Sequence, residues 1–269
     1  MAEWITDADD PRIAGYREVR ERDLVGRRGL FVAEGAVVLR CLLESPFALP
    51  VSILVAEARL PGLADLLGRV PGETPVYVAS QAVMDRIVGF PIHRGVLALG
   101  RTPAPLGLPS LLGGAGEEAL VLALSGIANH DNMGGLFRNA AAFGAAGVVL
   151  DSACCDPFYR KALRVSVGGV LKVPQVRLQA GVDLVEGLRA GGFRVLALSP
   201  SGDQDLAQVR GGGRVAVVLG AEGPGLAPEV LARCETVRIP MASGFDSLNV
   251  ATTSGIVLHH LRSRSGDAG

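Results

Sequence analysis

Six short runs of Val, Leu, Ala and Ile punctuate the second half of the chain: ALVLALS (119–125), AGVVLD (146–151), VPQVRL (173–178), FRVLALS (193–199), RVAVVLG (214–220) and TVRIPM (236–241). They are apolar almost without interruption, where a strand with one wet face would alternate apolar and polar residues. Strands of that composition are buried on both faces, which a parallel sheet covered by helices provides. Segments of helical spacing lie between most of them, so strand and helix alternate. The mean hydropathy of +0.35 follows from such strands. A membrane-spanning helix would need roughly 18 uncharged apolar residues in a row, and every apolar run here is broken by Gly, Pro or Arg. The pattern reads as a soluble α/β protein.

A smaller alternation fills the first hundred residues. FVAEGAVVLRCLLES (31–45) has helical spacing, VSILVA reads as a strand, LADLLGRV as a helix, PVYVAS as a strand, QAVMDRIVG as a helix and GVLALG as a strand. This predicts a small α/β domain over residues 1–100. RTPAPLGLPSLLGGAGEE (101–118) concentrates Pro and Gly and reads as an interdomain linker, which leaves residues 119–265 for the second domain. Hydrophobic residues at 49% and charged residues at 20% exclude a disordered or fibrous chain. The acidic first ten residues lack a basic stretch followed by an apolar one, so no secretory signal is expected and the location reads as cytoplasmic. Cys41, Cys154, Cys155 and Cys234 have no CxxC spacing and no matching His pair, which points to reduced thiols and no metal site.

In an open α/β sheet, ligands sit at loops leaving the carboxyl ends of strands. Three such loops are unusual. ALVLALS leads into a polar loop ending in Asn132, Arg138 and Asn139, where Asn132 either caps a helix or serves a site. RVAVVLG leads into Gly220-Ala-Glu222-Gly-Pro-Gly225-Leu, which lacks both the Lys-Ser/Thr of a phosphate-cradling loop and the spacing of a dinucleotide fingerprint. TVRIPM leads into Ser247-Leu248-Asn249 before a helix, where Ser247 or Asn249 is a natural cap. The plain alternatives are a helix start, a tight turn and a helix cap. Together the three loops put amides, an arginine and a carboxylate between glycines at one sheet edge. No GxSxG elbow or HExxH helix accompanies them, and neither His130 nor the His259-His260 pair belongs to an evident catalytic or metal-binding set. Group transfer from a bound donor suits such a site, because positioning and charge stabilisation then carry much of the barrier.

Three stretches, NHDNMGGLFRNAAAFG, VVLGAEGPGL and IPMASGFDSLNVATTSG, resemble in order and spacing the motifs of the SpoU/TrmH branch of the SPOUT RNA 2′-O-ribose methyltransferases. The resemblance covers roughly residues 120–260. It implies a parallel-sheet domain whose C-terminal segment forms a trefoil knot, a topology that periodicity alone never predicts. Ahead of it the family carries a small ribosomal-protein-like substrate-binding domain. The implied cofactor is S-adenosylmethionine, held through Gly220, Ile239 and Leu248, with Leu198 beside them. The implied catalytic positions are Asn132, Arg138, Glu222, Ser247 and Asn249. Many members read Asp-Pro-x-Asn where this chain reads Asn129-His130-Asp131-Asn132, which bears on loop geometry and substrate choice.

The resemblance also implies structured RNA, tRNA or rRNA, as partner and a homodimer as the working form, with an apolar face offered by the helix over residues 247–261. Net charge is only −1, so RNA contact would have to be local. Arg17, Arg20, Arg22, Arg27 and Arg28, and Arg160, Lys161 and Arg164, are the expected phosphate contacts. Aromatic residues at 4% argue for recognition of RNA shape over base stacking. The competing readings are a catalytically idle RNA-binding protein, an RNA base methyltransferase and an unrelated nucleotide-binding enzyme.

Overall fold

Each half of the chain builds its own sheet. The computed structural model describes residues 2–17, 21–89, 94–243 and 245–263, with the side chains of residues 21–23 outside that description. One unit consists of Met1–Ala104 and Pro157–Lys172, the other of Pro105–Asp156 and Val173–Gly269.

The first unit runs β1 (Ala2–Ile5), α1 (Glu21–Arg28), β2 (Leu30–Glu34), α2 (Ala36–Leu43), β3 (Leu49–Ala56), α3 (Leu60–Leu67), β4 (Val76–Ala79), α4 (Gln81–Val88) and β5 (Val96–Arg101). The strands lie in the order β1-β4-β3-β5-β2. β1, β4 and β3 are parallel, while β5 runs antiparallel to both β3 and β2. Residues 31–45 differ from their expected single helix. Phe31–Glu34 pair with β5 as a strand, and the helix starts only after Gly35, whose φ of 91° turns the chain. The apolar spacing of that stretch fits either element, and pairing with β5 decides it. β1, a short edge strand, escaped the pattern as well.

The second unit continues with α5 (Leu108–Gly113), β6 (Ala119–Leu124), α6 (His130–Ala142) and β7 (Gly147–Leu150); α7 (Arg160–Val165) then packs within the first unit. There follow β8 (Gln175–Arg177), α8 (Leu184–Ala190), β9 (Arg194–Leu198), β10 (Gln204–Asp205), β11 (Arg214–Leu219), α9 (Pro228–Leu231), β12 (Glu235–Arg238) and α10 (Val250–Ser263). The order is β10-β12-β9-β11-β6-β7-β8 with every pairing parallel. Val121, Leu122, Val217 and Val218 at its centre are fully buried, each contributing about 1.5–3 kcal/mol. Two boundaries differ from the sequence reading. The Pro/Gly-rich stretch after β5 contains α5, whose Leu111 and Leu112 enter the second core. Residues 157–172 belong to the first unit, although they lie inside the span expected to form the second domain alone.

Candidate functional site

The first of the three loops is fastened from behind. Asp151, just after β7, accepts hydrogen bonds from Ser125 Oγ (2.7 Å) and Gly126 N (3.0 Å) with one oxygen, and from Ala153 N and Cys154 N (both 3.0 Å) with the other. Burial pushes this carboxyl up, and the donors outweigh it, so it sits below the ordinary carboxylate value. The loop then enters α6 at Asn129, whose side chain accepts from Asp131 N (2.7 Å) and Asn132 N (3.4 Å). Asn129 is therefore the cap, and Asn132, for which the sequence also allowed that role, is a buried residue inside the helix.

The second loop closes on itself. Gly225 N donates to Ala221 O (3.1 Å), and Gly223 and Gly225 take φ values of 86° and 68°. At Gly220 a Cβ would run into the Gly225 carbonyl carbon and lie 2.6 Å from its oxygen. Only a glycine lets the two backbones approach this closely. Glu222 is carried at the exposed tip.

The third segment links the other two. Asn249 caps α10, its Oδ1 accepting from Ala251 N (2.9 Å) and Thr252 N (3.2 Å). Its Nδ2 donates to Asn132 Oδ1 (2.8 Å) and to Glu222 Oε1 (3.0 Å). One amide thus ties together residues from all three motifs. α10 is held along α6 by small side chains. Asn139 Nδ2 donates to Ala251 O (2.6 Å) and Ser254 Oγ (2.9 Å), and a Cβ on Gly135 would lie 2.6 Å from that of Ala251. The sequence alone assigns no role to Asp151 or Gly135, and none to Asn139 beyond its place in the first loop; Asn139 meets Ala251 112 positions away, and Asp151 meets Ser125 26 positions away. The apolar face expected of residues 247–261 is also mostly committed here. The helix begins at Val250, and Val257, Leu258 and Leu261 are fully buried within the unit, leaving Ile256 outward.

Beside this junction lies a cavity of about 460 Å³. Leu198, Gly220, Ile239 and Leu248 line it, as do Glu222, Ser247 and Asn249. Among the described residues that line it, Glu222 has the only charged side chain, an arrangement that suits a cationic ligand and repels a phosphate. Asn132 sits behind the wall. Arg138 is exposed and does not line the cavity; six residues beyond Asn132, it lies about 240° further around α6. His260 donates to Val209 O (2.9 Å), a packing role. Among the described residues no group of His, Cys, Asp or Glu could hold a metal ion, and no helix is long and apolar enough to cross a membrane.

Of the arginines expected to meet RNA, Arg17 is engaged by Asp9 (3.3 Å) and the Asp10 carbonyl (2.9 Å). Arg27 and Arg28 are exposed at the end of α1. Arg20 and the side chain of Arg22 lie outside the described residues. Arg160, Lys161 and Arg164 are on α7.

The chain is 40% identical to an uncharacterized tRNA/rRNA methyltransferase of Mycobacterium tuberculosis, over 97% of this chain and 92% of that one. Its fold is similar to an AdoMet-bound rRNA methyltransferase from Sinorhizobium meliloti, with a TM-score of 0.81, 24% identity and coverage of 97% and 98% of the two chains. It is similar in the same way to an RNA 2′-O ribose methyltransferase, with a TM-score of 0.79, 23% identity and coverage of 98% and 99%. The sequence model of the SpoU rRNA Methylase family matches residues 119–259, more than half of the chain and all three loops. The chain belongs to the SpoU rRNA methylase family.

Proposed function

We propose that this RNA methyltransferase moves a methyl group from S-adenosylmethionine to a ribose 2′-hydroxyl of structured tRNA or rRNA, working in the cytoplasm as a homodimer with the trefoil knot that the motifs imply. The observation that carries this reading is the Asn249 amide bonded to both Asn132 and Glu222 beside an apolar cavity with a single, negative, charged group. The cavity fits the cofactor by its chemistry. Leu198, Gly220, Ile239 and Leu248 offer apolar and backbone surface, and Glu222 favours the positive charge of a sulfonium. When bound, the cofactor supplies an electrophilic methyl group.

The remaining roles fall to this chain's own residues. Asn132, Glu222 and Asn249 keep the three loops in register, and exposed Ser247 orients the incoming ribose. Arg138 stabilises the developing oxyanion as the hydroxyl proton passes to water, and it holds a neighbouring phosphate. A guanidinium keeps its proton at any physiological pH, which makes it a poor base and a good electrostatic clamp. Since Arg138 does not line the cavity of its own chain, the reading assigns the task to Arg138 of the partner subunit, which makes dimerisation part of catalysis.

The test is transfer of labelled methyl from S-adenosylmethionine to total tRNA and, separately, to rRNA from a strain lacking the protein, followed by nucleoside mass spectrometry. A 2′-O-methyl nucleoside, lost with Arg138→Ala, is the expected result. A methylated base overturns the ribose assignment. Cofactor binding with no transfer to either RNA favours an idle RNA-binding protein, and failure to bind the cofactor sinks the reading altogether.

A further inference from the structure

The first unit buries one carboxylate under an excess of cations. Glu34, the last residue of β2, has a side chain only 8% exposed. Arg160 Nε lies 2.9 Å from its Oε2, Arg164 Nη1 3.9 Å from the same oxygen, and Arg94 Nε 4.0 Å from Oε1. A buried carboxylate needs one good partner, and Arg160, at 22% exposed, fills that role with a hydrogen bond. Arg94 and Arg164 are 51% and 44% exposed and make no hydrogen bond among the described residues. Three guanidiniums against one carboxylate leave two positive charges over, on half-exposed side chains that each reach to within 4.0 Å of Glu34. The backbone makes room for them, because a Cβ on Gly35 would lie 3.0 Å from Arg94 Cδ and 3.2 Å from its Nη1.

We propose that Arg94 and Arg164 form a docking site for the phosphodiester backbone of RNA, with Glu34 and Arg160 acting as the anchor that holds the pair in place. Guanidiniums stay charged at any physiological pH and present forked donors that match phosphate oxygens. Like charges gathered around one carboxylate repel one another, and a second anion on the exposed side relieves what Glu34 leaves uncompensated. A chain with net charge −1 has no general basicity to explain such a concentration. Backbone contact is also the mode open to a chain poor in aromatic residues for stacking. The proposal rests on RNA being the substrate, and it adds Arg94, which no motif contains, while giving Arg160 and Arg164 different tasks.

The experiment measures binding of labelled total tRNA and of rRNA fragments to the full-length protein over a salt series, for the native chain, Arg94→Ala, Arg164→Ala and the double variant. Cofactor affinity and thermal stability are followed in parallel. The double variant is expected to bind RNA about tenfold more weakly and to flatten the plot of log affinity against log salt by about 0.7–0.9 per lost contact, with cofactor affinity unchanged. An unchanged slope in the double variant overturns the docking site. Weaker binding with an unchanged slope and lowered stability also overturns it, because the cluster is then structural. If the native chain binds no RNA at all, the RNA reading itself falls and takes the docking site with it, whereas native binding with unaffected variants sinks the docking site alone.

Discussion

The two units prepare their surfaces by opposite means. In the first, four long side chains, Glu34, Arg94, Arg160 and Arg164, set up a charge arrangement, with the backbone contributing a single glycine, Gly35, beside Arg94. In the second, the backbone is the unusual part: Gly220 and Gly225 meet at a distance no Cβ permits, and short amides fasten the loops. A surface made of long side chains can be lost one charge at a time while its fold survives. One made of backbone fails when a single methyl group is added.

The largest effect is expected at the anchor of the first. Glu34→Ala leaves the mostly buried Arg160 guanidinium without its anion, at a cost of ~3–5 kcal/mol. Hydrogen exchange should register the loss in β2 and β5, with the strands of the second unit unchanged; equal loss in both sheets would contradict this separation. Next comes Gly220→Ala, where the added methyl group meets backbone that a rotamer change cannot clear. Overpacking of this kind costs ~1–3 kcal/mol, so calorimetry should find cofactor affinity lowered by ~10–100-fold, and native affinity would show that the turn yields freely. Asn249→Asp separates two tasks held by one residue. The aspartate still caps α10, but it brings a carboxylate where the amide donated to Glu222 and Asn132. Thermal stability should stay close to native while methyl transfer falls by about tenfold, a loss of ~1.4 kcal/mol in transition-state stabilisation; unaltered transfer would reduce the triad to a helix cap.

The smallest effect belongs to an exposed pair in neither surface. Asp183 caps α8 and pairs with Arg233 at 2.6 Å. The Arg233 guanidinium and the Glu186 N–H hold its carboxyl at about 2, below the ordinary 3.8. A depressed carboxyl stabilises the fold above its unfolded value, and that contribution drains away as the pH falls from about 4 towards about 2. Asp183→Asn keeps the cap and should cost under ~1 kcal/mol at pH 7. In acid unfolding, the gap between native and variant should close below pH 4; a gap that widened there would reverse the sign of this linkage.

How much of this could be read from residue order depends on the range of the interaction. β6, β7, β9 and β11 were legible because burial on both faces leaves an apolar run in consecutive residues. β10, two polar residues at the sheet edge, leaves no such trace, and neither does β1. Phe31–Glu34 carry a spacing common to helix and strand, and only β5 resolves it. At the site, residue types in three motifs marked the loops, but the bond from Asn249 to Asn132 spans 117 positions and that to Glu222 spans 27. Asn132 as a cap or a site residue could not be decided from the sequence, because the helix starts three positions earlier, after Asn129, than a cap at Asn132 would require. Arg94 was overlooked because its partners lie far away in the chain.

The same amide has a consequence in time. Translation delivers β6, α6 and the glycine turn well before Asn249, so a nascent chain holds Asn132 and Glu222 with nothing to join them. The joint closes only when α10 emerges and docks along α6. A chain released before residue 249 therefore carries a nearly complete sheet with unlinked loops, so synthesis of the stretch from Asn249 through α10 arms the site.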